Sequence, residues 1–512
     1  MSDEEKNIQE EEIVETPETT EEEVVETPVE ETEPVVEEEP AQEEEVAQES
    51  AEAPKKKNRK KKRWKDMTPE EKKKRRIRDI IISSVVIGVV ILFIASLAIA
   101  GLGVAMPAHY KLIENLEPAR GADNPAPVPV KDPDTGYWTF TVENNQTFKV
   151  LQLTDIHIGG GAFSINNDTW AINAVAKIVQ NVKPDLVIVT GDIGFPVPYS
   201  AGTFDNKREA ELFATLMEKL GIYWAHVYGN HDTELYSLYD RQELTDLVYM
   251  DKEKYPHCLF QPGPTEVDGV GNYIINVKNQ LGLITQSFVL FDSHAYTDGD
   301  YLGIAWKYDN IHQNQVDWYE KEIKALNTKN KMKYASLSVA DKLAYATAIG
   351  ADPVATEATF TSTDSMTIKS SAYFHIPLVE YYDVYHEYID SGNVKSGKDY
   401  EYLRGNAGES GKVVYCGMHE DNLFETMQAL RSTTNIFCGH DHYNNFQIKY
   451  WGKDGNKATD FGITLTYGMS IDYLAMPGIA KKYEQRGGTI IRVLPSGDID
   501  LENSQIRLID IA

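Results

Sequence analysis

FKVLQLTDIHIG, Phe148 to Gly159, is a short apolar run that breaks off into polar residues and a glycine. A strand of this composition is buried on both faces. Downstream, DTWAINAVAKIVQNV (Asp168–Val182) carries apolar residues at helical spacing. The alternation then repeats. PDLVIVTGD (Pro184–Asp192) reads as a second buried strand, and NKREAELFATLMEKLG (Asn206–Gly221) as a helix capped by Gly221. IYWAHVYGNHD (Ile222–Asp232) reads as a third strand. Short buried strands alternating with helices imply crossover units, so the fold class is α/β.

Further strands are expected at NYIINVK, SFVLFDS, SAYFHI, VVYC, TTNIFCG, GITLTYG and GTIIRVL, with helices near NQVDWYEKEIKAL and EDNLFETMQALR. This places one domain over 137–512, interrupted at about 327–370 by an Ala, Ser, Thr and Lys-rich stretch that reads as an inserted helix and loop. The sequence shows no internal repeat.

Upstream the texture is different. Residues 1–54 are dominated by Glu, Val, Thr, Pro, Ala and Gln and carry roughly twenty net negative charges, too polar and self-repelling to order, so a disordered acidic tail is expected. Residues 55–79 are strongly basic. Residues 80–106, IIISSVVIGVVILFIASLAIAGLGVAM, contain no charge and, at about 1.5 Å rise per residue, exceed the roughly 30 Å hydrocarbon core. A cleavable signal peptide is the competing reading. The apolar core is too long for one, and the segment preceding it is too extended, so a retained signal-anchor is favoured. The basic cluster on its N-terminal side predicts a cytoplasmic N-terminus and an extracellular catalytic domain. Residues 107–136, rich in Pro and polar groups, read as a stalk. The basic segment then orients the helix and meets lipid headgroups, and nucleic acid is not an expected partner. By subtraction from the formal charge of −30, the outer domain is itself acidic, which disfavours polyanion steering and favours a small ligand. The three cysteines, Cys258, Cys416 and Cys438, form no CxxC and read as small apolar residues.

The chemistry lies at the strand ends. The first ends in Asp155-Ile156-His157, the second in Gly191-Asp192, the third in Gly229-Asn230-His231-Asp232; a later one in His375, and another in Gly439-His440-Asp441-His442. In an open α/β sheet the carboxyl ends of the strands form the ligand crevice, so five distant segments would deliver polar groups to one place. Mixed carboxylate and imidazole sets suit Mn, Fe or Zn rather than Mg or Ca. In DxH and HxH both side chains face one side of an extended segment, and the neighbouring glycines permit close approach. Buried without a cation, these groups would be costly.

The ordered blocks TDIHIG, TGDIG, YGNHD, YFHIPL and CGHDH span about 290 residues and resemble the signature of the calcineurin-like metallophosphoesterases. The resemblance implies a four-layer α/β/β/α sandwich and two divalent metal ions. Asp155, His157 and His442 would hold one ion, Asn230, His375 and His440 the other, with Asp192 bridging. His231 would be the acid near the leaving group and Asp232 its orienting partner. GVGNYIINV, FVLFDSHAY, NQVDWYEKEI and FHIPLVEY resemble the branch related to the purple acid phosphatases. The purple-type tyrosine ligand is replaced by Phe195, and Asp155-Ile156-His157 stands where those enzymes tend to have DxG, so no purple charge-transfer site is expected. The activity the resemblance implies is hydrolysis of a phosphate ester by solvent-derived hydroxide, and with the acidic domain the expected substrate is a small phosphoester. The alternative is a cell-surface binding protein with a non-catalytic domain of the same kind. His226, His257, His294, His312, His386 and His419 read as structural.

Overall fold

The computed structural model describes residues 64–101, 106–121, 123–406, 408, 414–476, 478–479 and 486–511. The expected acidic tail lies outside the described residues. The chain divides into Met1–Arg78 and Asp79–Ala512. Helix α1 (Pro69–Gly101) begins ahead of the apolar run. A reciprocal capping box starts it, with Thr68 N donating to Glu71 Oε2 at 2.9 Å and Glu71 N to Thr68 Oγ1 at 3.3 Å. Within Pro69–Ser96 an 18-residue window has a mean hydropathy of 2.5 with none of it buried, and the helix is long and apolar enough to cross a bilayer.

The stalk reading of 107–136 needs correction. Helix α2 (Met106–Glu114) packs on α3 (Ile165–Val182) and α5 (Asn206–Leu220), burying His109 and Ile113, four residues apart on one face. Downstream, Ala119 is buried, its amide donating to Leu220 O at 2.9 Å. Arg120 pairs with Asp185 at 2.6 Å and donates to the Lys183 and Pro184 carbonyls. A single apolar face of two turns, flanked by Pro and charge, is too short for a periodic signal.

Two mixed sheets form the body. The larger has the order β1 (Val130–Lys131), β2 (Trp138–Val142), β6 (Tyr273–Asn279), β7 (Ile284–Leu290), β8 (Ser370–Tyr373), β10 (Thr433–Cys438), β12 (Ile463–Tyr467), β11 (Gln447–Tyr450), β9 (Tyr400–Arg404). The smaller runs β14 (Ile499–Asp500), β13 (Gly487–Val493), β3 (Phe148–Leu153), β4 (Leu186–Thr190), β5 (Trp224–Val227), with β15 (Gln505–Arg507) also on β13. β3, β4 and β5 are mutually parallel, as are β7, β8, β10 and β12. All seven therefore point their C-terminal ends toward the same kind of edge, where the ligand-bearing turns begin. The short helices α4 (Pro198–Ala201) and α6 (Arg241–Leu244) lie in the loops after β4 and β5.

The inner faces of the sheets share one core. Phe148 of the smaller sheet lies 4.9 Å from Phe140 and 6.1 Å from Phe288 of the larger, beside the stacked pair Tyr373 and Phe437 at 5.0 Å. Helix α3 covers the smaller sheet with Ala171, Ile172, Val175, Ile178, Val179 and Val182, a 3.6-residue stripe. It ends in Lys183 at φ 51°, and α5 ends in Gly221 at φ 65°, the cap its sequence announces. The outer face of the larger sheet is covered by α7 (Gln313–Ala335), α10 (Val379–Asp390) and α11 (Leu423–Leu430), whose apolar residues share a second core with it.

Over 327–370 the chain is more helical than its composition announces. α7 runs on to Ala335, and α8 (Val339–Ala348) and α9 (Pro353–Thr361) close a small cluster of Leu283, Tyr334, Tyr345 and Phe360. Val414–Cys416, expected within a strand, is irregular, its Tyr415 amide donating to Asp441 Oδ2 at 3.1 Å. Cys258 and Cys438 are buried and free, while Cys416 is half-buried and free.

Phe148 is fully buried between the sheets. Phe148→Ala is expected to lower unfolding stability by about 3–5 kcal/mol, read in a denaturant titration. A loss below about 1 kcal/mol would show that the sheets do not share this core.

Candidate metal centre

The ligand-bearing turns leave five strands at the edge where the sheets meet. Asp155 and His157 follow β3, Asp192 follows β4, and Asn230 and His231 follow β5; His375 follows β8, and His440 and His442 follow β10. Hydrogen bonds across the sheets hold these exits together. Gln152 Nε2 on β3 donates to Cys438 O on β10 at 3.0 Å, and His375 Nδ1 donates to Thr190 O on β4 at 2.8 Å.

The side chains fall into two sets. In the first, His157 Nε2 lies 3.2 Å from His442 Nε2, 3.7 Å from Asp192 Oδ2 and 3.9 Å from Asp155 Oδ1. Asp155 Oδ1 lies 3.5 Å from His442 Nε2. These four residues are buried, with ligand atoms all within 4.8 Å of one another. In the second, His375 Nε2 lies 3.1 Å from Asp192 Oδ2, 3.1 Å from Asn230 Oδ1 and 3.3 Å from His440 Nδ1. Asp192 Oδ2 faces both.

Donors about 2.1 Å from a shared ion are themselves about 3 to 4 Å apart. The proton positions agree with cation binding. His375 spends its Nδ1–H on the Thr190 carbonyl, turning an Nε2 lone pair inward, and the fully buried Asp192 Oδ2 has no hydrogen-bond donor aligned on it. The electrostatics are those of a negative cavity. Burial opposes charge on His375 and His442, yet Asp192 beside the first lifts it to about 9, and Asp472 with Asp155 lifts the second to about 10. Burial prevails at His157, pushed down to about 3, and at His440. A cation would meet the same negative potential directly.

The backbone is bent to achieve this. Asp155, His157, Asp192 and His440 have φ of 48°, 54°, 53° and 81°, a left-handed region that costs non-glycine residues about 1–3 kcal/mol each. Three glycines supply the room. A Cβ at Gly439 would overlap Thr154 Oγ1, one at Gly229 the Asp192 carboxylate, and one at Gly191 the His375 ring.

The sequence-assigned role of Asp232 is overturned by the structure. Its carboxylate does not reach the His231 ring; it accepts the amides of Gly229 at 2.7 Å and of Asp192 and Gly194 at 3.0 Å each, tying two ligand turns together. Successive residues of an extended turn point to opposite sides, which sends Asp232 away from its neighbour. The partner of His231 is Glu234, whose Oε1 lies 2.7 Å from Nδ1. Burial opposes protonation of His231, but Asp192 and Glu234 together raise it.

Other functional neighbours carry no motif. Asp472 Oδ2 lies 3.0 Å from His442 Nδ1, and its orientation is fixed by the amides of Leu474, Ala475 and Met476. Tyr296 accepts from Asn230 Nδ2 at 2.9 Å and donates to Glu234 Oε1 at 3.2 Å. Tyr308 packs its ring 4.2 Å from His440. Asp472 follows the strand GITLTYG by a few residues, so the strand-end criterion would have reached it; nothing local marks the tyrosines. Phe195 stands edge-on to His157 at 5.0 Å and to His231 at 4.9 Å.

The donors of a second group, His294, Asp309 and His312, also lie close together. Three of its four ring nitrogens are already engaged: His312 Nδ1 with Asp268 at 2.8 Å and Nε2 with Asp309 at 3.3 Å, and His294 Nε2 with Gln315 at 3.1 Å.

Residues 148–339 match the calcineurin-like phosphoesterase family. The matched stretch is somewhat over a third of the chain and contains Asp155, His157, Asp192, Asn230 and His231. The chain is 26% identical, over 65% of its own length and 73% of the relative's, to probable inactive purple acid phosphatase 29 of Arabidopsis thaliana. Probable inactive purple acid phosphatase 14 of the same plant is 29% identical over 39% of the chain and 52% of the relative. Phosphatase DCR2 of Saccharomyces cerevisiae is 26% identical over 62% of the chain and 47% of the relative. The chain thus spans about half the length of the last two, and its similarity is to proteins named as purple acid phosphatases and as a phosphatase.

Gly439→Ala is expected to displace the His440 turn and cost about 1–3 kcal/mol by overpacking. Elemental analysis should show metal content well below that of the parent, and retention of full metal content would mean the close approach at Gly439 is not required.

Proposed function

We propose that the chain is a membrane-anchored phosphoester hydrolase working at a two-cation centre. The observation that carries the reading is the Asp192 carboxylate, whose Oδ2 faces both donor sets. Asp155, His157 and His442 would hold one divalent ion and Asn230, His375 and His440 the other, with Asp192 shared; the donor chemistry suits Mn, Fe or Zn. Bound there, such ions supply Lewis acidity to phosphate oxygens and a lowered pKa to solvent.

The protein's own groups do the rest. Asp232 fixes the Asp192 turn through backbone amides, and Asp472 fixes His442. His231 stands at the mouth with 28% of its side chain exposed, whereas His157 and His375 are wholly covered. With Nδ1 held by Glu234, its Nε2 is free to hold a proton for the departing oxygen. Phe195 packs against the His231 ring and keeps solvent from that side.

The names of the Arabidopsis relatives contain the word inactive and that of the yeast relative the word phosphatase. The reading therefore leans on this chain's own donor set, which has both halves present together with His231. The span in α1 supports a single-pass anchor, and the Lys and Arg residues before it support a cytoplasmic N-terminus with the catalytic domain outside.

Asp192→Asn is expected to abolish p-nitrophenyl phosphate hydrolysis and lower metal content together. His231→Ala should cut the rate by about 10²- to 10⁴-fold with metal retained. Full activity in the Asp192 variant would sink the assignment. As a general acid, His231 works only while protonated, so the rate should fall as pH rises through its raised pKa. Glu234→Gln removes one of the carboxylates that raise it, so this alkaline limb should move to lower pH in the pH–rate profile. An unmoved limb would exclude His231 as its source.

A further inference from the structure

The segment that joins the apolar span to the domain enters beside the metal centre. His109, at the start of α2, is fully buried with Nε2 3.4 Å from Asp168 Oδ2. Asp168 in turn accepts from Gly159 N at 2.7 Å and Gly160 N at 3.1 Å, in the loop leaving His157. From there α2 runs along α3 toward Arg120, which bonds the Lys183 carbonyl at the far end of that helix. The chain therefore arrives at the metal end of the domain and runs away from it.

The charge-free run 80–106 reaches the start of α2, and with α1 extending to Gly101 only four residues separate the two helices. Fully extended they reach roughly 18 Å. A compact domain of about 380 residues is roughly 50 Å across. A tether shorter than the domain, attached at its metal end, keeps that end near the bilayer.

The same end carries an exposed apolar rim. Tyr199 is 78% exposed, Leu235 68%, Leu238 61%, Tyr301 73%, Ile304 76% and Trp306 61%, all on loops that leave the C-terminal ends of β4, β5 and β7. Exposed apolar clusters of this kind mark interaction surfaces, and Tyr and Trp among aliphatic side chains suit the headgroup boundary of a membrane. Beside Glu234 a cavity of about 490 Å³, walled partly by Leu235, Tyr239 and Val270, opens next to the partner of His231.

We infer that this rim lies against the lipid surface and that the substrate is a phosphate ester of a membrane lipid, its apolar part remaining in the bilayer while the phosphate enters the metal centre. The inference deepens the anchored phosphoesterase reading above and rests on it for the chemistry. In the reaction a water oxygen bonds to phosphorus and the bond from phosphorus to the lipid oxygen breaks. The departing oxygen takes the proton held by His231, which regains one from the attacking water, leaving a lipid alcohol and phosphate.

The test uses the full-length chain in phosphatidylcholine vesicles containing phosphatidic acid, which offer a lipid diester and a lipid monoester together. In a Cys416→Ser background, a nitroxide at Ile304→Cys is compared with one at Asn145→Cys, in the exposed turn between β2 and β3 at the opposite end of β3. The label at 304 should favour oxygen over an aqueous nickel chelate by about ten-fold more than the label at 145. Tyr301→Asp with Ile304→Asp should lower hydrolysis of the vesicle lipid about ten-fold, with p-nitrophenyl phosphate turnover within about two-fold of the parent. Equal aqueous access at 304 and 145 overturns the membrane-facing rim. Turnover of p-nitrophenyl phosphate with neither lipid hydrolysed overturns the substrate class. An inert chain with the label at 304 immersed removes the phosphoesterase reading, and with it the substrate, while upholding the rim; release of the chain by carbonate removes the anchor.

Discussion

Two sheets meet at one carboxylate. Asp192 leaves the smaller sheet, and its Oδ2 lies 3.1 Å from His375 of the larger and 3.7 Å from His157 of its own. A fully buried carboxylate oxygen with no aligned donor is unstable in a low-dielectric interior unless positive charge is supplied. Everything around it works to hold that geometry: Asp232 binds the amides of two turns, Gln152 ties β3 to β10, and His375 ties β8 to β4. The centre is thus a product of sheet packing, and the shared aromatic core around Phe148 sets how closely the edges approach.

The local backbone bears the cost. Four of the ligand residues adopt left-handed φ values that their side chains disfavour, and they persist because the surrounding ladders and glycines leave no alternative arrangement. Strain of this kind is tolerated where a large core offsets it, and the two apolar clusters on either side of the larger sheet provide one.

The segment after the apolar run and the candidate centre are joined through the same packing. The His109 and Asp168 pair is buried, and Asp168, raised to about 7 chiefly by burial, is held by Gly159, Gly160 and Ser164 against the loop that carries His157. A segment whose composition reads as a spacer is instead part of the packing around the metal loop. In place of a free stalk, the segment after the apolar run is packed into the domain and enters it beside the loop that carries His157.

By itself the sequence determined the elements whose signal is local. Buried strands at Phe148–Leu153, Leu186–Thr190 and Thr433–Cys438 declare themselves by unbroken apolar runs, α3 and α5 by their stripes, and Gly221 by its place after the last apolar residue. The candidate donors stand out in the sequence because each follows such a strand, most of them with a glycine close by. Only the tertiary structure decided what depends on direction or distance. Asp232 turns to the backbone while Glu234 takes His231; Asp472 and Tyr296 reach the centre from far along the chain; and α2 docks through a face of two turns. Periodicity reports which face of an element is apolar, but hydrogen-bond partners are chosen by where two distant turns come to lie, and that is fixed only once the sheets have packed.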